Sequence, residues 1–283
     1  MSAGLRFQVG ARTLATIPRR LARVALSLDD ALAGTAPSLP RLEGEDGYLV
    51  TSLPDDAALD WPGLAFVRQR YTRYWIDLAA GEAAWRSGLS GQTRSALKRK
   101  GKRLAAANGG RLDVRAYRTA AELAAAHPIA RAVAATTYQE RLLGSALPGA
   151  MPGGEARAWL LFLGEAPIAY LWCGADGDTL RYDYVGHDPA HQALSPGSVL
   201  MEAALTDLFA DRFARFDFTE GEGQHKRTLA TGGVACRDLV LLRPTLANRA
   251  AVGAVGGFDA AMGVAKRMAQ RPALASLAKR VRR

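Results

Sequence analysis

Three apolar segments that follow one another across short turns constrain the fold of this chain most. They are ARAWLLFLG (156–164), IAYLWCGA (168–175) and TLRYDYVGH (179–187). Strand-like segments of this length, joined by tight turns at Gly164 and Gly177, form an antiparallel meander. A helix over about 196–210 and a strand over 213–219 follow, and a strand–helix–strand connection makes its two strands parallel. We therefore expect an α/β fold with a mixed sheet, splayed at its central parallel pair so that a ligand can lie in the gap.

Weaker patterns place the remaining elements. We expect strands over 47–53, 64–78, 111–117 and 235–244, and helices over 82–89, 93–107, 119–126, 128–143 and 223–230. The helical stretch after Thr119 is predicted to break at His127-Pro128, because proline removes a helix hydrogen bond. Residues 1–45 are interrupted by prolines and predict irregular structure.

The chain is predicted to divide into three sections. Residues 105–245 would form the domain with the mixed sheet, 1–104 a smaller N-terminal α/β half, and 246–283 a basic helical tail. The net charge of +10 is concentrated in residues 1–28, 94–103 and 266–283. Such patches attract nucleic acid, anionic lipid headgroups or phosphate-bearing metabolites, although they are equally compatible with solvated helix faces.

Several classes of protein are excluded by what the sequence lacks. The two cysteines, Cys173 and Cys236, predict core positions rather than a disulfide framework, and His127, His187 and His191 have no spacing for a metal site. No apolar run is long enough for a membrane-spanning helix, and the first twenty residues lack the apolar region of a signal peptide. The sequence therefore predicts a cytoplasmic protein without a metal.

A candidate anion site lies where the strand at 179–187 leads into the following helix. Ser195 is placed to cap this helix and Pro196 to begin it, while Gly197 leaves its backbone open to close approach. The N–H groups of Gly197, Ser198 and Val199 are expected to lack partners inside the helix and to lie at the positive end of its dipole. That arrangement suits a pyrophosphate.

Candidate catalytic residues follow the predicted parallel strand, in the segment FDFTEGEGQHK (216–226). Side chains of these types can supply a base for proton transfer and donors for a developing oxyanion. Glu220 or His225 could be the base, and Lys226, expected to remain unburied, could bind the oxyanion or an anionic substrate group. Each could equally be a solvated surface charge.

Two tyrosines on the strand at 179–187 are further candidates. Strict alternation puts Tyr182 and Tyr184 on one face and Asp183 on the other. One face should contact the core and the other an acceptor groove, and the periodicity leaves open which is which.

These motifs together resemble the GNAT acyltransferases, whose Q/R-x-x-G-x-G/A signature follows a strand and binds the pyrophosphate of acyl-CoA. Gln192 and Gly197 match the signature, Pro189 stands where proline is common, and Ser195 replaces the first glycine. The resemblance implies acetyl-CoA or another acyl-CoA as donor. It also implies donor-binding roles for Gln192, Ser195, Gly197, Ser198 and Val199. A second match to the pattern, at 141–146, lacks the strand–turn–helix context.

The combination of the basic helix, the meander and the segment at 216–226 is similar to the CelD-like branch of that superfamily. His225 stands where this branch commonly has tyrosine. The resemblance implies transfer of an acyl group to an amine or hydroxyl of a sugar or small metabolite, in exopolysaccharide or cellulose synthesis.

Two alternatives remain open at this point. The branch is related to the Fem peptidyltransferases, so the basic helix at 94–103 could track the phosphates of an aminoacyl-tRNA. The chain could instead be a non-catalytic module that binds a polyanion, or an anionic membrane surface at the inner face through its basic tail.

Overall fold

The computed structural model describes residues 4–9, 12–137, 140, 147–221 and 223–269. They divide into two compact units. Unit 1 comprises Met1–Arg70 and Ala235–Arg283, and unit 2 comprises Tyr71–Val234, so the chain leaves unit 1, forms unit 2 and then returns. Among the described residues no helix combines the length and apolarity needed to cross a membrane.

Unit 1 is built from two sets of strands. Its elements are β1 (Gly4–Val9), β2 (Arg12–Pro18), β3 (Leu21–Ala25), α1 (Leu28–Ala33), β4 (Gly47–Pro54), most of β11 (Gly232–Leu242) and α7 (Leu246–Ala269). β1 and β2 form an antiparallel pair, while β4 lies parallel to β3 and antiparallel to β11. The predicted irregular structure over 1–45 is wrong, because strand pairing supplies hydrogen bonds that no local pattern reveals. α1 is further stabilised by a capping box between Ser27 and Asp30.

The sheet of unit 2 is the predicted mixed sheet. Its strands are the second half of β5 (Leu64–Asp77), then β6 (Asp113–Tyr117), β7 (Ala156–Leu163), β8 (Ala166–Asp176), β9 (Thr179–His187) and β10 (Arg215–Asp217). Their order is β5-β10-β9-β8-β7-β6. The meander β7–β8–β9 is antiparallel and β10 is parallel to β9, as predicted, although β10 is shorter than the expected strand over 213–219.

Helices cover both faces of this sheet. They are α2 (Glu82–Gly88), α3 (Gly91–Ala107), α4 (Ala120–Thr136), α5 (Pro196–Leu208) and α6 (Gln224–Leu229). One apolar cluster, which we call the donor-side cluster, joins α2, α3, α5 and α6 to the sheet. A second, the α4 cluster, joins α4 to the other face. The apolar side of α5 is buried as its helical periodicity predicts, through Leu200, Met201, Ala204, Leu205 and Leu208.

The predicted helix break at His127-Pro128 is wrong, since α4 runs through both residues. A proline inside a helix removes one backbone hydrogen bond, but capping at the N-terminus and packing on the sheet stabilise the helix here. Thr119 and Glu122 form a capping box at its start, and Ala126 and Ala130 are buried against the sheet. The continuation predicted to 143 and the second signature match at 141–146 lie outside the described residues.

The compact units have different bounds from the predicted sections. α2 and α3 fall within unit 2, together with the mixed sheet, and residues 235–245 fall within unit 1. The sectioning into 1–104, 105–245 and 246–283 therefore stays a prediction. α7 is helical as expected of the tail, whereas the basic residues 270–283 lie outside the described part. Cys173 and Cys236 are buried in the core, as predicted.

Candidate active site

The parallel pair of unit 2 is short, and this opens the sheet. Only residues 215–217 of β10 pair with β9, opposite 179–181. β9 continues to His187, and no other described strand pairs with it on that side. The second half of β9 therefore presents an open edge beside the N-terminus of α5, which is the predicted splay.

A β-bulge at Asp183 interrupts β9. Tyr182 pairs with Cys173 and Tyr184 with Trp172, so Asp183 is an extra residue in the strand. Its Oδ2 accepts a hydrogen bond of 2.9 Å from the N–H of Gly174. Because a Cβ at Gly174 would lie 2.5 Å from that oxygen, only glycine fits there without a shift.

The bulge separates the two tyrosines that strict alternation places together. Tyr182 packs on the donor-side cluster, with its ring centroid 5.9 Å from that of Phe218, whereas Tyr184 packs on the α4 cluster. The prediction of a shared face is therefore wrong, because the extra residue reverses the direction of every side chain beyond it. Burial raises the pKa of the Tyr182 hydroxyl, so this group stays neutral over the physiological range.

A buried ion pair supports the turn after β10. Arg73 donates to Asp217, with 2.6 Å between Nη2 and Oδ2, and both side chains are almost fully buried. The Oδ1 atom of Asp217 also accepts the N–H of Thr219 at 2.8 Å, and Thr219 Oγ1 donates to the carbonyl of Tyr182 at 3.3 Å. Thr219 has a left-handed φ of 58°, so these contacts hold a strained turn against β9.

Lys226 is buried, contrary to the expectation of an unburied ammonium. Lys226 lies on α6, and its Nζ donates to the carbonyls of Phe218 and Glu220 at 2.7 Å each. Nζ also lies 5.7 Å from the centroid of the Tyr182 ring. The buried ammonium therefore stabilises the turn by binding two of its carbonyls. The sequence alone predicts a surface position for it.

Replacing Lys226 by methionine is expected to lower the free energy of unfolding by about 1–3 kcal/mol, since the carbonyls of Phe218 and Glu220 lose a charged donor. Urea unfolding followed by circular dichroism measures this. Arg227, the exposed neighbour on α6, provides the control, and its methionine variant is expected to change stability by less than about 0.5 kcal/mol. Equal stability of the two variants would contradict a supporting role for Lys226.

His225 lies on the solvent side of the same helix. Its ring centroid is 6.1 Å from that of Tyr182 and 6.2 Å from that of Phe218. Desolvation, and then the nearby Lys226 ammonium, lower the pKa of His225 below its ordinary value, so the imidazole is neutral at pH 7. A Cβ at Gly223 would lie 3.0 Å from Cε1 of this ring, so glycine there allows the ring its position.

Glu220, the other predicted base, has an exposed side chain. The structure places its backbone carbonyl, and not its carboxylate, in the contact with Lys226. Glu220 and His225 thus both reach solvent at the end of β10, but only His225 contacts the aromatic residues beside β9.

The turn before α5 differs in detail from the predicted anion site. A 3₁₀ helix (Pro189–Leu194) precedes it, and Ser195 has a left-handed φ of 55° with no side-chain cap. The N–H groups of Ser198 and Val199 donate to the carbonyl of Ser195 at 3.1 and 3.3 Å. The expectation of three unpartnered N–H groups is therefore wrong. Of the three, the N–H of Gly197 has no acceptor among the described residues.

The backbone at Gly197 is open to close approach. A Cβ there would meet only Nδ1 of His187, at 3.8 Å, so the backbone is open. Next to it are the Ser198 hydroxyl and the positive end of α5. Gln192 is exposed within the 3₁₀ helix, whereas the buried Val199 side chain packs inward and cannot contact a ligand in this position.

Sequence reasoning missed that α3 borders this turn. The Nζ of Lys100 donates to Ser198 Oγ at 2.9 Å, and Arg103 Nη1 donates to the carbonyl of Ala193 at 3.3 Å. The charge pattern of α3 indicated an anion-binding surface but not which residues turn inward. Among the described residues there is no group of three or more His, Cys, Asp or Glu side chains that could hold a metal ion.

Comparison with known proteins bears on this arrangement. Residues 91–227 match the family model described as acetyltransferase (GNAT) domain. The matched segment runs from α3 to α6, so it contains the turn before α5, the open edge of β9 and His225. Residues 91–227 are therefore similar to a GNAT acetyltransferase domain, and the mixed α/β fold that the resemblance implies is confirmed. No curated protein matches the chain significantly.

Solved structures with a similar fold are distant in sequence. The C-terminal domain of a protein assigned as a lysylphosphatidylglycerol synthetase from Agrobacterium fabrum is 12% identical over 74% of this chain and 70% of its own, with a TM-score of 0.49. The L-PGS of Bacillus licheniformis is 10% identical over 74% and 71%, with a TM-score of 0.45. A GCN5-related N-acetyltransferase from Kribbella flavida is 15% identical over 71% and 70%, with a TM-score of 0.38. At these values the likenesses carry no argument about substrate.

Proposed function

We propose that this protein transfers an acyl group from acyl-CoA to an amine or hydroxyl acceptor. The open edge of β9 carries this proposal. At one end of that edge the backbone of Gly197 is open next to His187, and at the other end a neutral histidine lies beside Tyr182. A strand rises about 3.3 Å per residue, and four residues of β8 separate the partners of Tyr182 and His187, so the two ends are about 13 Å apart, a span suited to an extended donor molecule.

The donor would lie with its pyrophosphate at the start of α5. Its binding groups there are the N–H of Gly197 and the hydroxyl of Ser198, with Gln192 and Ser195 shaping the preceding turn. Bound acyl-CoA supplies a thioester, whose carbonyl carbon is the electrophile. The backbone of β9 would guide the arm of the donor toward Tyr182 and exclude water from one side of it.

At the other end of the edge, His225 is the proposed base. Its lowered pKa leaves the imidazole free to take a proton from the attacking amine or hydroxyl. Glu220 is the alternative base. Lys226 is a positioning residue, because its ammonium supports the turn that carries Glu220 and leads to His225. Tyr184 packs on the opposite face of the sheet and is a candidate contact for the acceptor.

The proposal also concerns the identity of the acceptor and of the acyl group. An acetyl group and a sugar or small-metabolite acceptor, as in exopolysaccharide or cellulose synthesis, follow from the CelD-like resemblance alone. A Fem-type use of aminoacyl-tRNA rests on the relation of that branch to the Fem peptidyltransferases and on charge. Binding to an anionic membrane surface through the tail rests on charge alone. The contacts of α3 with the turn before α5 favour the acyl-CoA donor over these alternatives.

Replacing Gly197 by valine tests the donor site. Because the Cβ position is open and the backbone is not left-handed, the fold should tolerate the change, while the side chain would occupy the space that a phosphate needs. We expect the Kd of CoA, measured by titration calorimetry, to rise at least about tenfold, the loss expected when charged hydrogen bonds are blocked. The melting temperature should stay within a few degrees of the wild type.

Gly88 at the end of α2 is the matched control, since a Cβ there meets nothing within 4 Å and the backbone is likewise not left-handed. Gly88→Val should bind CoA as the wild type does. Absence of CoA binding by the wild-type protein would refute the proposed function, and unchanged affinity in Gly197→Val would refute this location for the donor.

A further inference from the structure

Lys100 occupies an unusual position on α3. The side of α3 that packs on unit 2 carries the buried Leu97 and Leu104, and Lys100 lies between them, half-buried. Its basic neighbours Lys98 and Lys102 are exposed on the other side of the helix. A lysine on an otherwise apolar face indicates a specific role for its charge, because an apolar residue would pack there without the cost of desolvating an ammonium.

The surroundings of this ammonium are positively charged. Nζ contacts the hydroxyl of Ser198 in the first turn of α5, where the helix dipole is positive, and Arg103 reaches the same turn. Glu202, the first acidic residue of α5, is engaged by Arg86 at 3.2 Å. No described carboxylate forms an ion pair with Lys100 or Arg103. Two cations and a helix N-terminus thus converge, and no carboxylate in the described part of the chain pairs with either cation, an arrangement that a bound anion would relieve.

We propose that Lys100 binds the pyrophosphate of acyl-CoA, which makes α3 part of the donor site. This inference rests on the proposed function and names a residue for it that the strand–turn–helix signature does not contain. An ammonium has three donors and one of them goes to Ser198 Oγ, which leaves donors for phosphate oxygens. Arg103 adds positive potential from the edge of the turn. The inward direction of Lys100 favours a small phosphate ligand over RNA, which would contact the exposed side of α3.

Lys100→Met is the decisive variant, because methionine keeps the apolar stem on the packed face and removes the charge. Lys98→Met is its matched control, with the same change of charge on the exposed side of the same helix. By titration calorimetry we expect Lys100→Met to raise the Kd of CoA about tenfold or more, and Lys98→Met less than about threefold. Lys100→Arg, which keeps a cation, should stay within about threefold of the wild type.

Dephospho-CoA, which lacks the 3′-phosphate but keeps the pyrophosphate, identifies the group that Lys100 binds. The loss in Lys100→Met should be the same for dephospho-CoA and for CoA. A loss seen with CoA alone would overturn the pyrophosphate assignment, and equal affinities of Lys100→Met and Lys98→Met for both ligands would overturn any role of Lys100. Neither outcome would contradict the proposed function as long as the wild-type protein binds CoA. If the wild-type protein does not bind CoA, the proposed function itself is refuted. Melting temperatures verify that each variant is folded.

Discussion

Replacing His225 by alanine is expected to lower kcat by about 10²- to 10⁴-fold, the usual contribution of a general base. The KM for the acyl donor should change little, because His225 lies at the end of β9 away from the turn before α5. Steady-state kinetics with a genuine acceptor measures both constants. Gln224→Ala, an exposed change at the adjacent position of α6, should retain wild-type kcat.

The pH profile gives an independent readout of the same residue. The pKa of His225 is lowered, so the neutral and active form persists at pH 7, and activity should fall only as the pH drops through a value below 6.5. This limb should disappear in the residual activity of His225→Ala. If Glu220→Gln loses activity and His225→Ala does not, the base is Glu220.

Removing the buried carboxylate of Asp217 should have the largest effect on stability. Asp217→Ala leaves the guanidinium of Arg73, whose side chain is 5% exposed, in the interior without its carboxylate. Losing one partner of a buried ion pair typically lowers the free energy of unfolding by about 3–5 kcal/mol. Urea denaturation provides the measurement, and the midpoint should fall sharply.

Asp113→Ala is the matched control for this change. Asp113 pairs with Arg115 on the surface of the same unit, with side chains 27% and 45% exposed. Exposed pairs contribute about 0–1 kcal/mol, so the control should remain close to the wild type. Similar midpoints for the two variants would show that burial of the Arg73–Asp217 pair does not matter for stability.

The order of elements in unit 2 could be predicted because its signals are local. Turn residues mark the ends of β7, β8 and β9, and the spacing of Leu200, Ala204 and Leu208 identifies the packed side of α5. Pro196 marks the start of α5, because its missing N–H suits the first turn of a helix. Each of these signals lies within a few residues of the feature that it predicts.

The missed features of the site depend on residues far apart in the chain. The bulge at Asp183 exists because its carboxylate bonds to Gly174 on the neighbouring strand, which no periodicity in β9 reveals. Lys226 is buried because the turn after β10 offers two carbonyls at the right distance. Lys100 faces Ser198 across 98 positions of sequence, so the charge pattern of α3 alone could not separate it from Lys98.

β9 runs between the two ends of the candidate site, and this affects how an acyltransferase with this site could diversify. The groups at the phosphate end come from α3 and α5, whereas the groups at the reactive end come from the turn after β10 and from α6. These elements share the donor-side cluster, but no described hydrogen bond or ion pair joins Lys100 or Ser198 to Glu220 or His225. New acceptors could therefore arise by changes around His225 while recognition of a common donor is inherited unchanged.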